Sequence, residues 1–550
     1  LSDGRWLISG DSHLFQRPDL TAKIGSSVLS PASPDSALIL AAYQKWGADC
    51  VRHLEGEFSF AIWDPVERLI FCARDHVASR PFYYFFSGSR FVFSGDPAWI
   101  LSRPDIPRLP NLEKIAACGF PGGKSRLTDQ TFHKGIFALA GGSTLVASRS
   151  GIKTSRYWDV EIRSELVPRR DDDAFELLRS LIVQSVQDRI SGFDSVGAFL
   201  SGGLDSSSLV AVAAKQLLPS GRTLSAISGV LPPDSPEQIS DEREYINEFQ
   251  NWPGVRITYV TPPAEAGPFD ALHEPDRFSR TFNVTSRLYL YKSMQKVAAE
   301  KGLDLILDGC GGECGPTGHN RIYFLELAFS GKWLQLRREL TQFEAVEGIS
   351  PLREIGAHLL NLVSPLRNDH PFLFLNPRFM REHAVKTRPA RIWPDHRLAQ
   401  IATAREYLAR KSSNVGAVRQ IRHSYPLLDR RLLEFCVSAP GSLKIKDGYP
   451  RLMIRRAMEG ILPPRIQWRT TKTAFSPDYR TRYNAQLQFL RPWLARIAAS
   501  DPVRQIVDTD TLLRRVNSVR SGGSEGDVLV TIPATVYLIQ FLRQFADFRV

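Results

Sequence analysis

Phe199-Leu200-Ser201-Gly202-Gly203-Leu204-Asp205-Ser206-Ser207 is the stretch on which the reading of this chain turns. It ends a short apolar run, Ser195 to Leu200. It then opens a segment in which Leu209, Val212, Ala213 and Leu217 recur at helical spacing. The pattern predicts strand, glycine turn, helix. Gly202 and Gly203 allow backbone N–H groups to come close to an anion. Ser201, Ser206 and Ser207 add hydroxyl donors, and the positive end of the helix dipole lies beneath. Such a loop suits a phosphate or pyrophosphate. Asp205 would repel that anion unless a cation lay between them, which points to Mg²⁺ bridging Asp205 to the phosphates. A plain glycine turn with a helix cap is the competing interpretation of two glycines, and the full string between strand and helix weighs against it. No Gly-Lys-Ser/Thr follows, so this is not a Walker P-loop. The Gly-x-Ser-x-Gly spacing of a nucleophile elbow is also absent.

Outward from this loop, Thr223 to Val230, Arg256 to Val260 and Leu303 to Leu307 are strand candidates. They alternate with helix candidates at Asp171 to Asp188, Asp241 to Phe249 and Ser286 to Glu300. That alternation predicts a parallel sheet of βαβ units. A second glycine loop, Asp308-Gly309-Cys310-Gly311-Gly312-Glu313-Cys314, follows the Leu303 to Leu307 strand. From about Tyr323 the pattern is mostly helical. Upstream, Phe58, Phe60 and Ile62 alternate with Ser59, Ala61 and Trp63, Asp64-Pro65 begins a turn, and Leu69 to Ala73 returns as a second strand. Phe82 to Phe86, Arg90 to Phe93 and Ser143 to Ala147 extend this β-rich region, with turns at Gly119 to Gly123 and Gly141-Gly142. The boundary between the two regions is expected near residues 159–170, giving domains of 1–160 and 165–550.

Composition narrows the classes. The 550 residues are 43% hydrophobic and 23% charged, which excludes disorder, collagen-like repeats and coiled coil as global descriptions. Lysine plus arginine (70) less aspartate plus glutamate (58) gives +12, an excess that favours anionic ligands. No nucleic-acid motif accompanies it, so no nucleic-acid partner is expected. Six scattered cysteines without a CxxC fit a reduced, cytoplasmic protein. No apolar run reaches membrane-span length: Val528 to Leu542 is interrupted by Thr531, Pro533, Thr535 and Gln540. The first segment carries Asp3, Arg5 and Asp11 and so is unlike a signal peptide, although the chain starts at Leu1 rather than Met. His273, His319, His358, His370, His383, His396 and His423 are dispersed. Cys310-x3-Cys314 with His319 is an incomplete zinc set.

The Ser201 to Ser207 string resembles the pyrophosphatase loop of the asparagine synthetase family. Leu54-Glu55-Gly56-Glu57-Phe58-Ser59-Phe60-Ala61-Ile62-Trp63-Asp64 is similar to that family's L-x-G-x-F-A-F-A-x-W-D, and Ala73-Arg74-Asp75 with Arg80-Pro81-Phe82-Tyr83-Tyr84 to its A-R-D-x-x-G-x-K-P-L-Y-Y. Ser240-Asp241-Glu242, Tyr425-Pro426-Leu427-Leu428-Asp429, and Arg469 and Lys472 before Phe475 follow in the family's order. The resemblance implies an α/β chain: a degenerate, Ntn-type, glutaminase-like β-rich domain, then an ATP-pyrophosphatase domain (adenine nucleotide alpha hydrolase-like) with a parallel sheet and a helical C-terminal part. It implies ATP and Mg²⁺ as cofactors. Leu200, Ser201, Gly202, Gly203, Asp205, Ser206, Ser207, Gly309, Gly311 and Arg469 would hold the nucleotide. Asp205 and Glu313 would ligate the metal, and Lys472 would stabilise developing charge. Arg469 can equally be an ion-pair partner. The second loop departs from the family's S-G-x-G-A-D-E, with Glu313 for Asp and Cys314 for Glu.

Glutamine-using members need an N-terminal cysteine and an N-G-E motif. Here no cysteine precedes Cys50, and Gly10-Asp11-Ser12 stands where that motif falls. The N-terminal domain is therefore expected to lack glutaminase activity and to act as scaffold or in substrate recognition. An amine other than glutamine-derived ammonia is implied. β-Lactam synthetases use a Tyr–Glu base, and those positions fall on Cys310 and near Arg422, which disfavours that branch. The degenerate N-terminal domain, the D-G-x-G-G second loop and Leu428-Asp429-Arg430-Arg431-Leu432 are more similar to the lasso-peptide macrolactam synthetases. That branch implies a precursor peptide as substrate and, as partners, a leader-binding protein and a leader protease. The rival expectations are an ammonia-dependent asparagine synthetase and a non-catalytic nucleotide-binding subunit.

Overall fold

In the computed structural model, the described residues are 5–25, 29–30, 32–119, 129–232, 235, 241–273, 286–318, 321–348, 350, 355–356, 373–383, 395–413, 421–471, 476–518 and 526–545. Lys472 and His319 lie outside them.

Strands β1 (Leu7–Leu14), β2 (Gly56–Asp64), β3 (Leu69–Arg74), β4 (Tyr83–Phe86), β5 (Phe91–Ser94), β6 (Ile136–Ala138), β7 (Ser143–Ser148) and β8 (Gly151–Arg156) build the N-terminal part. They form antiparallel sheets ordered β1-β2-β3-β7-β8 and β5-β4-β6. The expected hairpin is present, with Asp64 opposite Leu69 and Ser59 opposite Arg74. Alternation at Phe58, Phe60 and Ile62 sends these side chains into one core, where they meet Leu38 and Ile39 of the helix Asp35–Trp46. Neither that helix nor β1 was expected from the sequence. Among the described residues β1 pairs with β2 alone, and it carries Ser9, Gly10, Asp11 and Ser12 at its centre, so it has no alternating apolar signal.

The C-terminal part is built on β9 (Val196–Phe199), β10 (Leu224–Gly229), β11 (Val255–Val260), β12 (Leu305–Leu307) and β13 (Arg422–Ser424). The sheet is parallel throughout, in the order β11-β10-β9-β12-β13. Successive residues alternate between two cores. Val196, Ala198, Ala226, Leu305 and Leu307 face the helices Asp171–Ile190 and Leu204–Leu217. Phe199, Ile227 and Ile306 face a second core that includes residues of Leu288–Glu300, Tyr479–Ala495 and Ile532–Arg543. Burial on both faces explains why these strands read as continuous apolar runs. β13 was read as part of the helical region, because three residues of Arg-His-Ser carry no strand pattern. The expected helix over Asp241 to Phe249 is a shorter one, Arg243–Ile246, followed by a 3₁₀ turn, Asn247–Phe249. Strand order reverses between β9 and β12, so the carboxyl ends of these neighbours flank the switch-point crevice where ligands of such sheets bind.

A buried ionic seam joins the two parts. Glu57 of β2 accepts from Arg80, from the Ser424 hydroxyl at the end of β13, and lies 3.4 Å from Nε of Arg189. Arg189 also donates to Asp429 at 3.0 Å. Trp158 Nε1 donates to Glu434 at 2.6 Å. Burial would raise Glu57, but Arg80 and Arg189, with the Ser424 hydroxyl, hold it below the usual carboxylate range. Asp429 is likewise held low against burial, by Arg431 and Arg189. Among the described residues no helix is long and apolar enough to cross a membrane.

Candidate active site

The first glycine loop leaves the end of β9 and enters the helix Leu204–Leu217. Leu200 anchors it: the side chain is buried and its N–H donates to the Ile227 carbonyl at 3.0 Å. Gly202 takes φ +67°, a left-handed turn that a side chain would strain, and a Cβ there would sit 2.9 Å from the Cβ of Tyr245. Ser206 closes the loop, accepting the Ser201 N–H at 3.0 Å and standing 3.0 Å from the Ser201 hydroxyl. The Ser207 N–H begins the helix on the Gly203 carbonyl. Arg469 braces the loop from outside. It donates to the Gly202 carbonyl at 3.0 Å, pairs with both oxygens of buried Glu242, and lies 3.5 Å from the centroid of the Tyr245 ring. The ion-pair alternative for Arg469 is the arrangement present, and its tie to the loop runs through Gly202.

The second loop lies directly against the first. A Cβ at Gly309 would be 3.0 Å from the Ser206 nitrogen, and one at Gly312 would overlap the Asp205 carboxylate. Gly311 has φ +90° and packs on Leu428, so the Tyr425 to Asp429 motif supports the loop from below. Thr317 Oγ1 donates to Asp205 Oδ1 at 2.8 Å and fixes that carboxylate. Asp308 accepts the Cys310 N–H at 3.0 Å and donates its own N–H to the Ser424 carbonyl. Asp205, Ser206, Gly309 and Gly312 therefore meet in one place. Glu313 belongs to the same turn, Gly312–Cys314, with an exposed side chain. Cys314 is buried beside Leu428 and Leu433, and burial pushes its thiol up to about 12. Among the described residues, the group close enough to hold a metal is Glu326, Asp395 and His396, which includes neither Cys310 nor Cys314. Lys472 lies outside the described residues, three positions after Arg469.

Residues that the sequence did not single out pack beside the two loops. Tyr291 hydrogen-bonds the Cys310 side chain, and burial, then Cys310 and Asp308, push its phenol well above the usual range. His423 Nδ1 lies 4.0 Å from Asp308 Oδ2, and its ring meets Phe199 edge-on at 5.6 Å. Thr317, Tyr291 and His423 reach the loops from three separate segments, so no local motif marks them. Gly312→Ala is expected to displace Asp205, since a Cβ cannot share its space. ATP turnover should fall at least about tenfold, with overpacking costing about 1–3 kcal/mol of stability. Steady-state kinetics and denaturant melts check both values.

With the two loops in view, the family can be stated. Residues 177–532 match the asparagine synthase family, and residues 3–158 match a glutamine amidotransferase domain. The first match spans well over half of the chain, and the chain belongs to the asparagine synthase family. Its fold is α/β: an N-terminal glutamine amidotransferase-like domain and a C-terminal asparagine-synthase domain with a parallel sheet and helices. It is an enzyme of the ATP-dependent amide ligase class. Asparagine synthetase [glutamine-hydrolyzing] 3 of Bacillus subtilis (strain 168) is 26% identical over 479 residues, covering 84% of this chain and 73% of that protein. Amidase chyE of Penicillium rubens is 23% identical over 488 residues, covering 79% and 71%.

Proposed function

We propose that this ligase closes the macrolactam ring of a lasso peptide. In this proposal it joins the peptide's N-terminal amine to an Asp or Glu side-chain carboxylate through an acyl-adenylate. The observation that carries it is the fate of Asp11. It stands in β1 where glutamine-using members have N-G-E, and it is paired with Arg422 and lies 3.7 Å from Arg80. That ionic bridge occupies the place of the glutamine-handling motif, which favours an amine supplied by the substrate itself.

Each loop has an assigned task. Backbone N–H groups and hydroxyls from Ser201 to Ser207 bind the β- and γ-phosphates of ATP, with Leu200 and Arg469 holding the loop and Gly309 and Gly311 bringing the second loop against the nucleotide by letting it pack on Ser206 and on Leu428. Asp205, fixed by Thr317, and the exposed Glu313 offer hard carboxylate oxygens, a donor set that fits Mg²⁺. Bound Mg²⁺ would neutralise phosphate charge there. The peptide carboxylate attacks the α-phosphorus and pyrophosphate leaves. The N-terminal amine then attacks the acyl carbon, loses a proton and expels AMP. Lys472 stabilises the charge that develops on the oxyanion and phosphate. The domains are 1–160, serving as a brace, and 165–550, carrying the chemistry. The enzyme works in the cytoplasm, beside a leader-binding protein and a leader protease that free the amine.

A leader-free core peptide with ATP and Mg²⁺ should give a product lighter by one water. A mass unchanged after ATP consumption would contradict ring closure. Lys472→Met should lower turnover by about 10²–10³ while ATP affinity changes little. Equal loss of both would make Lys472 a binding residue only. The second candidate is an asparagine synthetase: the similarity to the Bacillus asparagine synthetase favours aspartate as the adenylated carboxylate, and the loss of the glutamine-handling motif leaves free ammonia as the amine. Asparagine formed from aspartate and ammonium would establish it.

A further inference from the structure

The second glycine loop is held from behind by a buried pair that belongs to no motif. Gln400, on the helix His396–Ser413, donates from Nε2 to the carbonyls of Cys314 and Gly315, both at 3.3 Å. Its Oε1 accepts from Lys444 Nζ. Gln400 is 3% exposed and Lys444 1%. The orientation of the amide is decided by chemistry. The two loop carbonyls can only accept, so the NH₂ group must face them, and the amide oxygen is thereby turned to Lys444, which donates to it. The loop approaches so closely that a Cβ at Gly318 would overlap Gln400 Nε2. Two residues beyond Gly315, Thr317 donates to Asp205. Hydrogen bonds and a short stretch of loop thus run from Lys444 through Gln400 and residues 314–317 to the carboxylate assigned above to the metal.

Stability alone does not account for Lys444. Its partner is an amide oxygen, not a carboxylate, and burial lowers its amine to about 7. Burying an amine this way opposes folding, and apolar side chains in place of both Gln400 and Lys444 would fill the space with less cost. A group kept at the expense of stability is expected where it sets geometry.

We propose that Gln400 and Lys444 are positioning residues for the pyrophosphate site: they set the height of the second loop, and through Thr317 the rotamer of Asp205. The proposal rests on the assignment of the two loops to the phosphates of ATP.

Three full-length variants test it, each measured for melting temperature, calorimetric affinity for ATP with Mg²⁺, and KM and kcat of ATP–pyrophosphate exchange. Gln400→Glu still accepts from Lys444, now as an ion pair, but presents oxygen rather than N–H to the carbonyls of Cys314 and Gly315. It should melt within a few degrees of wild type and bind ATP about 10- to 100-fold more weakly. Lys444→Met leaves buried Gln400 Oε1 without its donor, so it should melt a few degrees lower, and it should raise KM for ATP by more than the lost stability accounts for. Lys444→Arg, which keeps a donor for Oε1, should recover affinity relative to Lys444→Met. Wild-type affinity in Gln400→Glu, or affinity that falls only in step with melting temperature across the three, would overturn the positioning role. Wild-type protein that binds no ATP would instead overturn the loop assignment itself.

Discussion

Asp205→Asn is expected to lower ATP–pyrophosphate exchange by at least about 10²–10³, with the fold intact. Asparagine has the same shape and its carbonyl can still accept from Thr317, so the contact between the two loops survives. What is lost is the charge beside the phosphates. In the first turn of the helix Leu204–Leu217, that charge also favours the dipole by about 0.3–1 kcal/mol, a minor part of folding stability. A near-normal melting curve with exchange that stays low at high Mg²⁺ would mark a defect in chemistry. Near-wild-type exchange would remove Asp205 from the metal role.

Glu57→Ala should destabilise the protein by about 3–5 kcal/mol, the largest stability loss expected of any single site discussed. Glu57 is 1% exposed and faces Arg80, Arg189 and Ser424 across the seam between the two parts. Its removal leaves two buried guanidinium groups without this carboxylate, although Arg189 keeps Asp429. The sign of the pH dependence follows from the lowered values of Glu57 and Asp429. Their contribution is complete above the ordinary carboxylate value of about 4 and is lost as pH falls through the depressed folded values. Wild type should therefore exceed Glu57→Gln most at neutral pH, and the gap should narrow in acid. Denaturant melts from neutral pH to about 3 check this, and a gap that widens in acid would contradict the assignment.

The two loops of the candidate site were legible in the sequence because their pattern is local. Leu200 to Ser207 announces strand, turn and helix within nine residues, and Gly309 to Gly312 repeats the signal after β12. The structure brings the two loops together, which the family resemblance implied by giving both to one nucleotide and the local patterns alone did not. Thr317 was not legible, because its partner Asp205 lies 112 positions away and only the fold joins them. Gln400 acts over 86 positions to reach Cys314. β1 and β13 were missed for a different reason: polar residues at a sheet edge or beside a domain seam give no alternating apolar pattern. Glu57 and Arg189 are only 1% and 3% exposed, and nothing in their sequence neighbours announces that burial. Charge in a sequence marks cost, and only packing reveals that the cost is met by a partner.

The proposed ring closure requires that a peptide carboxylate be adenylated. ATP–pyrophosphate exchange tests it directly, offering purified enzyme a leader-free core peptide in one reaction and aspartate with ammonium in another. Exchange with the peptide alone is predicted. Exchange with free aspartate and none with the peptide would contradict the claim and return the enzyme to asparagine synthesis.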